Sequence, residues 1–253
     1  NFETSSMVRG KVLPVLDNVR GISMVSTSVP GSFEDEIRQL VKQRPKLTEQ
    51  TFQLTEAPHG VEHEIVTTGQ PIRCRPRRQN PEKMVIAKKE FRFLVEMGIA
   101  VRSNSPWASP LHITPKPNGG WRPCGDFRRL NTVTVPDSYS VPRIHDFANG
   151  LADRKWFSKV DLVKGYHQVP IKLEDQPKTA ISTPFGLYHF RRMPFGLRNA
   201  GATFQRMMDS IFQEFDFVFV YLDDVLIASK NRKDHLRHLG LFFDRLEKHG
   251  LFL

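Results

Sequence analysis

The chain has 253 residues, room for one large domain or two small ones. Hydrophobic residues make up 39% and aromatics 10%, enough to bury a core, which excludes wholesale disorder. Lys and Arg number 37 against 27 Asp and Glu; the formal net charge of +10 favours an anionic partner, nucleic acid first and an acidic membrane surface second.

The first 30 or so residues are rich in Ser, Val and Gly and show no helical period. Phe33, Ile37, Leu40 and Val41 then recur at three- and four-residue steps, which predicts a short helix over 33–41 that Pro45 stops. Residues 1–45 read as a linker or the tail of an upstream domain. The alternative is an N-terminal arm of the domain that follows. Residues 61–66 alternate like a strand. Arg73, Arg75, Arg77 and Arg78, broken by Pro76, continue as extended chain. Asn80 followed by Pro81 predicts a helix start, Met84, Ala87, Phe91, Leu94 and Val95 give the helix an apolar face, and Gly98 ends it.

A hairpin is expected next. Residues 111–116 and 121–127 flank Pro117, Asn118, Gly119 and Gly120, with Lys116 and Arg122 as basic shoulders. Strands are predicted over 155–162, 170–173 and 179–191, the last two meeting near Phe185 and Gly186. A long helix follows Asn199 with Ala200, Phe204, Met207, Met208, Ile211 and Phe215 on one face. Two short apolar strands, 217–221 and 225–228, enclose Leu222, Asp223 and Asp224. A final helix over 233–249 buries Leu236, Leu239, Phe243 and Leu246, and residues 251–253 begin another strand.

Asp223 and Asp224 stand inside an otherwise apolar stretch, 217–228. A charged pair there is costly unless a turn exposes it or cations neutralise it. A hairpin tip does the first and offers carboxylate oxygens to a hard divalent ion; an ordinary acidic turn accounts for the same four residues. Asp161 weighs toward the metal reading, because it too closes an apolar strand. Three acids on two neighbouring strand ends suit two metal ions and phosphoryl transfer. Tyr166, five residues on, is either a ring under a nucleotide sugar that a 2′-hydroxyl would strike, or a core tyrosine. Phe195 and Gly196 precede the long helix at a turn where backbone can approach a ligand.

Taken together, RRMPFGLRNA (191–200) with ATFQ (202–205), VDLVKGYHQ (160–168), YLDD (221–224), SPWASP (105–110), KPNGGWR (116–122) and GDFRRLN (125–131) resemble the reverse transcriptases of gypsy-type long-terminal-repeat retrotransposons. The resemblance runs from about residue 59 to the last residue. It implies an α+β fold, the fingers and palm of a right-hand polymerase, with a ferredoxin-like palm sheet and packed helices over 46–253 and no thumb. It implies Asp161, Asp223 and Asp224 as catalytic carboxylates holding two Mg²⁺, with Mn²⁺ as a substitute. Tyr166 matches the sugar-selecting aromatic, Lys116 and Arg122 the triphosphate grip, and Phe195 and Gly196 the nucleotide-pocket turn. Many retroviral relatives carry glutamine where Phe195 stands. The implied activity is RNA-directed DNA polymerisation on an RNA or DNA template with a DNA primer and dNTPs. Protease, RNase H and integrase domains would complete the polyprotein, in cytoplasmic virus-like particles. The fragment alone would be weakly active or inactive, and a remnant that binds nucleic acid without catalysis is the competing reading. A different two-metal enzyme such as a nuclease leaves Tyr166 and the Phe195–Gly196 turn unexplained.

No apolar run reaches the ~18 residues of a membrane span, and the first residues lack a secretory signal layout. Cys74 and Cys124 are too few for a disulfide framework or a Cys-based zinc site, so both read as reduced. The arginines at 73–78 are either template-phosphate contacts or a solvated basic surface. His235 and His238 read as a solvent-facing pair, His167 as packing, and Met207 and Met208 as core.

Overall fold

The computed structural model describes residues 11–14, 22–26, 31–49, 57–116 and 119–253. Residues 1–10, 15–21 and 27–30 of the expected N-terminal linker or arm, and Pro117 and Asn118 at the hairpin tip, lie outside the described residues. In chain order the elements are β1 (Lys11–Pro14), β2 (Ile22–Ser26), α1 (Gly31–Lys42), α2 (Pro81–Glu96), β3 (Ala100–Arg102), β4 (Ser109–Pro115), β5 (Trp121–Gly125), α3 (Arg128–Val133), α4 (Ala148–Leu151), β6 (Trp156–Asp161), β7 (Ile181–Thr183), β8 (Gly186–Phe190), α5 (Ala200–Phe212), β9 (Val218–Tyr221), β10 (Asp224–Ser229) and α6 (Arg232–Lys248). Short 3-10 turns join several of them.

The chain forms two compact units. The first draws its described residues from Asn1–Gln50, Tyr139–Gly165 and Phe204–Leu253. Its sheet runs β1-β2-β6-β10-β9, with every neighbouring pair antiparallel. The order β6-β10-β9, with α5 between β6 and β9, is the split pattern expected of a ferredoxin-like palm. β6 alternates as a half-buried strand must: Ser158 and Val160 are buried while Lys159 and Asp161 face outward. α5 buries Phe204, Met207, Met208 and Ile211, as their spacing predicts; Phe215 falls beyond the helix end. α6 buries Leu239, Phe242, Phe243 and Leu246, starts at Asn231, whose Oδ1 accepts the Asp234 N–H at 2.9 Å, and is followed by Gly250 at φ +67. Leu251, Phe252 and Leu253 are buried, though they form no strand.

Two sequence readings change in this unit. The boundary near residue 45 does not separate the described residues. Phe33, Ile37 and Val41 of α1 are buried in the same unit as α6, with the Phe33 ring 5.1 Å from that of Trp156. Leu47 is buried as well, and its carbonyl accepts the Leu253 N–H at 2.7 Å. An apolar stripe of that kind needs a partner surface, and this unit supplies it. His235 and His238 are not solvent-facing: they are 0% and 6% exposed. His235 Nε2 pairs with Ser158 Oγ and its Nδ1 with Ser229 Oγ, each at 2.8 Å, and His238 Nδ1 also meets Ser229 Oγ at 2.8 Å. The His238 ring stacks on Phe217 at 3.8 Å. With its ring nitrogens matched to serine hydroxyls, a neutral histidine is tolerated inside a core. Burial, then the neighbouring His238, pushes the His235 pKa down to about 3.

The second unit comprises Thr51–Ser138 and Tyr166–Thr203. Its sheet runs β3-β8-β7-β4-β5, antiparallel except for the β4–β7 pair. The hairpin is β4–β5, in register from Leu111–Gly125 to Pro115–Trp121. Gly119 and Gly120 both have φ +82, the left-handed conformation that keeps side-chain residues out of such a turn. α2 is capped by Asn80, whose Oδ1 accepts the Glu82 N–H at 3.0 Å, and buries Ala87, Phe91 and Leu94. Residues 61–66 keep their alternation, with His63 and Ile65 buried, but form a single isolated bridge, His63 with Ile171, instead of a strand. One reason is that the Ile65 N–H donates to the Asp175 carboxylate at 2.8 Å, where a ladder would need a carbonyl. Residues 170–173 likewise form bridges only, Pro170 with Arg192 and Ile171 with His63.

Candidate active site

The first unit carries the three acids. Asp161 ends β6 and Asp224 begins β10, and they stand opposite each other in register. Asp223 is exposed on the turn between β9 and β10. That turn bends through Leu222 at φ +53, an uncommon conformation for a branched side chain. A buried glutamine holds it. Gln205 on α5 is 0% exposed; its Oε1 accepts the Leu222 N–H at 2.8 Å and its Nε2 donates to the Val220 carbonyl at 3.1 Å. Nε2 also donates to Asp209 at 2.8 Å, and Asp209 in turn accepts the Tyr139 hydroxyl at 2.6 Å. Burial first, then that hydrogen bond, pushes the Tyr139 phenol up to about 12.

Lys159 lies on the same face of β6 as Asp161. Its Nζ is 2.9 Å from Asp224 and 3.7 Å from Asp161. The Asp161 carboxyl is pushed up from the usual aspartate range, first by partial desolvation and further by the negative charges of Asp224 and Asp223, while Lys159 pulls it down. Among the described residues, no three His, Cys, Asp or Glu side chains converge closely enough to ligate one ion. The structure therefore brings Asp161 and Asp224 to a shared cation and leaves Asp223 beside them in sequence on the turn. As a donor set they fit a hard divalent ion: carboxylate oxygens from two facing strands, on an accessible sheet face, already gathered around one positive charge.

The second unit carries the other predicted residues. Tyr166 packs against Phe195 with ring centroids 4.9 Å apart, and the Arg122 guanidinium lies 5.8 Å over the Phe195 ring. Phe195 is 38% exposed, enough to leave a ring surface open to a ligand. Gly196 sits at φ +93, and Asn131 fixes the turn: its Nδ2 donates to the Gly196 carbonyl at 2.9 Å and its Oδ1 accepts the Arg198 N–H at 3.0 Å. Lys116 is exposed on the first shoulder of the β4–β5 hairpin. His167 is buried, its Nδ1 3.1 Å from the Met193 carbonyl.

The arginine-rich stretch opens onto a cleft of about 400 Å³ whose lining includes Arg75, Arg77, Asp126, Arg128 and Arg129. Hydrogen bonds from Arg128 and then Arg77 hold the Asp126 carboxyl far below the usual range, so it stays ionised beside four arginines. Gln205, Asn131 and Lys159 are the residues whose roles sequence reasoning missed. Strand alternation alone places Lys159 on the face of Asp161. Gln205 stands on α5 among the apolar residues Phe204, Met207 and Met208, a polar side chain with no exposure.

The reverse transcriptase (RNA-dependent DNA polymerase) family model matches residues 114–253, more than half of the chain, and the chain belongs to that family. It is 36% identical over 236 residues to the retrovirus-related Pol polyprotein from transposon opus of Drosophila melanogaster, covering 90% of this chain and 24% of that protein. It is 35% identical to the Pol polyprotein from transposon gypsy of the same organism, covering 83% of this chain and 21% of the relative. The gypsy-type resemblance read from the motifs is thus upheld, and the chain spans about a quarter of the length of these relatives. The foamy viral protease-reverse transcriptase in complex with RNA/DNA hybrid superposes with a TM-score of 0.77 at 21% identity, over 98% of this chain and 34% of that one. That likeness establishes the fold: fingers and palm of a right-hand polymerase.

Proposed function

We propose that this chain is the catalytic fingers–palm part of an RNA-directed DNA polymerase within a retrotransposon Pol polyprotein. It would transfer deoxynucleotides from dNTPs to a primer 3′-hydroxyl on an RNA or DNA template. The observation that carries the reading is the register of β6 and β10, which sets Asp161 opposite Asp224 with Asp223 on the adjoining turn, in a chain of this family. The name of the foamy viral relative, solved with an RNA/DNA hybrid, supports the template and primer.

In this reading Asp161, Asp223 and Asp224 hold two divalent ions, Mg²⁺ in the cell. When bound, such ions activate the primer hydroxyl and neutralise the leaving pyrophosphate. The protein's own side chains bind and orient. Lys116 and Arg122 take the triphosphate charge. Tyr166, propped by Phe195, meets the sugar and rejects a 2′-hydroxyl by steric contact. Gly196 lets backbone approach the nucleotide. The Arg75, Arg77, Arg128 and Arg129 cleft takes template phosphates, because four guanidiniums around one ionised carboxylate leave a net positive recess. Protease, RNase H and integrase partners, and assembly in cytoplasmic virus-like particles, belong to the same proposal. Among the described residues, no helix is long and apolar enough to cross a membrane.

Primer extension on a homopolymer RNA template tests the reading. Asp223→Asn is expected to abolish incorporation, and undiminished incorporation sinks the assignment. Tyr166→Ala is expected to admit ribonucleotides; if discrimination against them stays intact, Tyr166 is not the gate. Salt-sensitive nucleic-acid binding with no incorporation in any metal would favour the binding-only alternative.

A further inference from the structure

Strand alternation sends Lys159 and Asp161 to one face of β6, and the register makes Asp224 the direct partner of Asp161 and a diagonal neighbour of Lys159. The outcome is an ammonium 2.9 Å from one carboxylate and 3.7 Å from the other. Two like charges directly opposite in a sheet repel, and the site must tolerate that repulsion whenever no metal is bound. The Lys159 side chain is 30% exposed and that of Asp224 17%, so the contact is partly shielded from water and from salt.

We propose that Lys159 is a built-in counter-ion: it holds Asp224 and Asp161 together in the metal-free protein and must yield Asp224 when a divalent ion binds. It is a positioning residue that competes with the metal for the same oxygens. The consequence is reciprocal. The lysine lowers the repulsion between the two acids in the apo state and weakens the first metal-binding step, since an ion must displace it. A flexible, compact ammonium suits that exchange better than a guanidinium fork, which would grip a carboxylate at two points. The inference rests on the assignment of Asp161 and Asp224 as metal carboxylates.

The test is direct Mn²⁺ binding to the full chain, followed by the electron paramagnetic resonance signal of free Mn²⁺, with no nucleotide present. Lys159→Met keeps the length of the stem and removes the charge; Lys159→Gln is a second variant should the first misfold. Either is expected to bind Mn²⁺ several-fold more tightly than the parent, and to unfold at a lower temperature in EDTA while recovering when Mn²⁺ is added. Asp224→Asn is expected to weaken Mn²⁺ binding and to erase the difference between the lysine and its replacements. Unchanged or weaker Mn²⁺ binding in both lysine variants, with Asp224→Asn still weakening it, overturns the counter-ion role alone. If Asp224→Asn leaves Mn²⁺ binding untouched, the metal assignment itself fails, and the counter-ion role with it.

Discussion

Gln205 shows how a single buried side chain shapes the chemistry of another residue. It satisfies the N–H of Leu222 and the carbonyl of Val220, the two backbone groups that flank the left-handed bend before Asp223. Gln205→Ala should leave both unsatisfied, at about 1–3 kcal/mol of stability for each buried group, and should misplace Asp223. The expected result is a loss of incorporation of tenfold or more in primer extension, with nucleic-acid binding retained in a filter assay. His235 makes a prediction of a different kind. Its folded pKa of about 3 lies below the ordinary histidine value, so the unfolded chain takes up the proton first. Its share of stability is complete above pH ~6.5 and is lost as pH falls from there toward the folded value, by about 2 kcal/mol at pH 5. Urea unfolding between pH 7.5 and pH 5 should show that slope, and His235→Gln should flatten it. The sequence hid this residue because polarity was read as exposure. The spacing of His235, His238, Leu239, Phe242 and Leu246 already placed both histidines along the buried stripe of α6.

At the scale of elements, the strands and helices around the acids were legible because each carries an unambiguous local signal. Asn80 caps α2 with its side-chain oxygen, as its position before Pro81 predicts, and Asn231 caps α6 in the same way. Asn80→Ala and Asn231→Ala should each destabilise their own unit by about 1 kcal/mol, read by chemical denaturation. Phe243, at 0% exposure on α6, should cost about 3–5 kcal/mol when replaced by alanine. Elements held by side chains were less legible. Residues 61–66 alternate correctly, yet a carboxylate from Asp175 takes one of their backbone bonds, and no periodicity announces that. Asn131 carries no local signal beyond its place in the 125–131 motif. Its hold on Gly196 links residues 65 positions apart, a pairing that local pattern cannot carry.

For the whole molecule, the +10 charge acquires an address. Arg128 and Arg129 line a cleft that the proposed function gives to template phosphates. Replacing both with alanine should reduce the slope of log affinity against log salt by about 1.4, measured with a single-stranded RNA template. The division into two units was not legible, because no change of composition marks it. The first unit is assembled from three separated stretches of chain, with both stretches of the second unit threaded between them. That threading sets a timetable for synthesis on the ribosome. β6 emerges about 60 residues before β10, its partner across the acids. At roughly 5–20 residues per second, its β10-facing edge stays open for several seconds, while β2, made earlier, is already available to pair with the other edge. During that interval Asp161 has neither Asp224 nor a finished sheet beside it. The nascent chain therefore completes its candidate catalytic centre only near the end of this stretch, and stalled shorter chains should be the ones that chaperones retain.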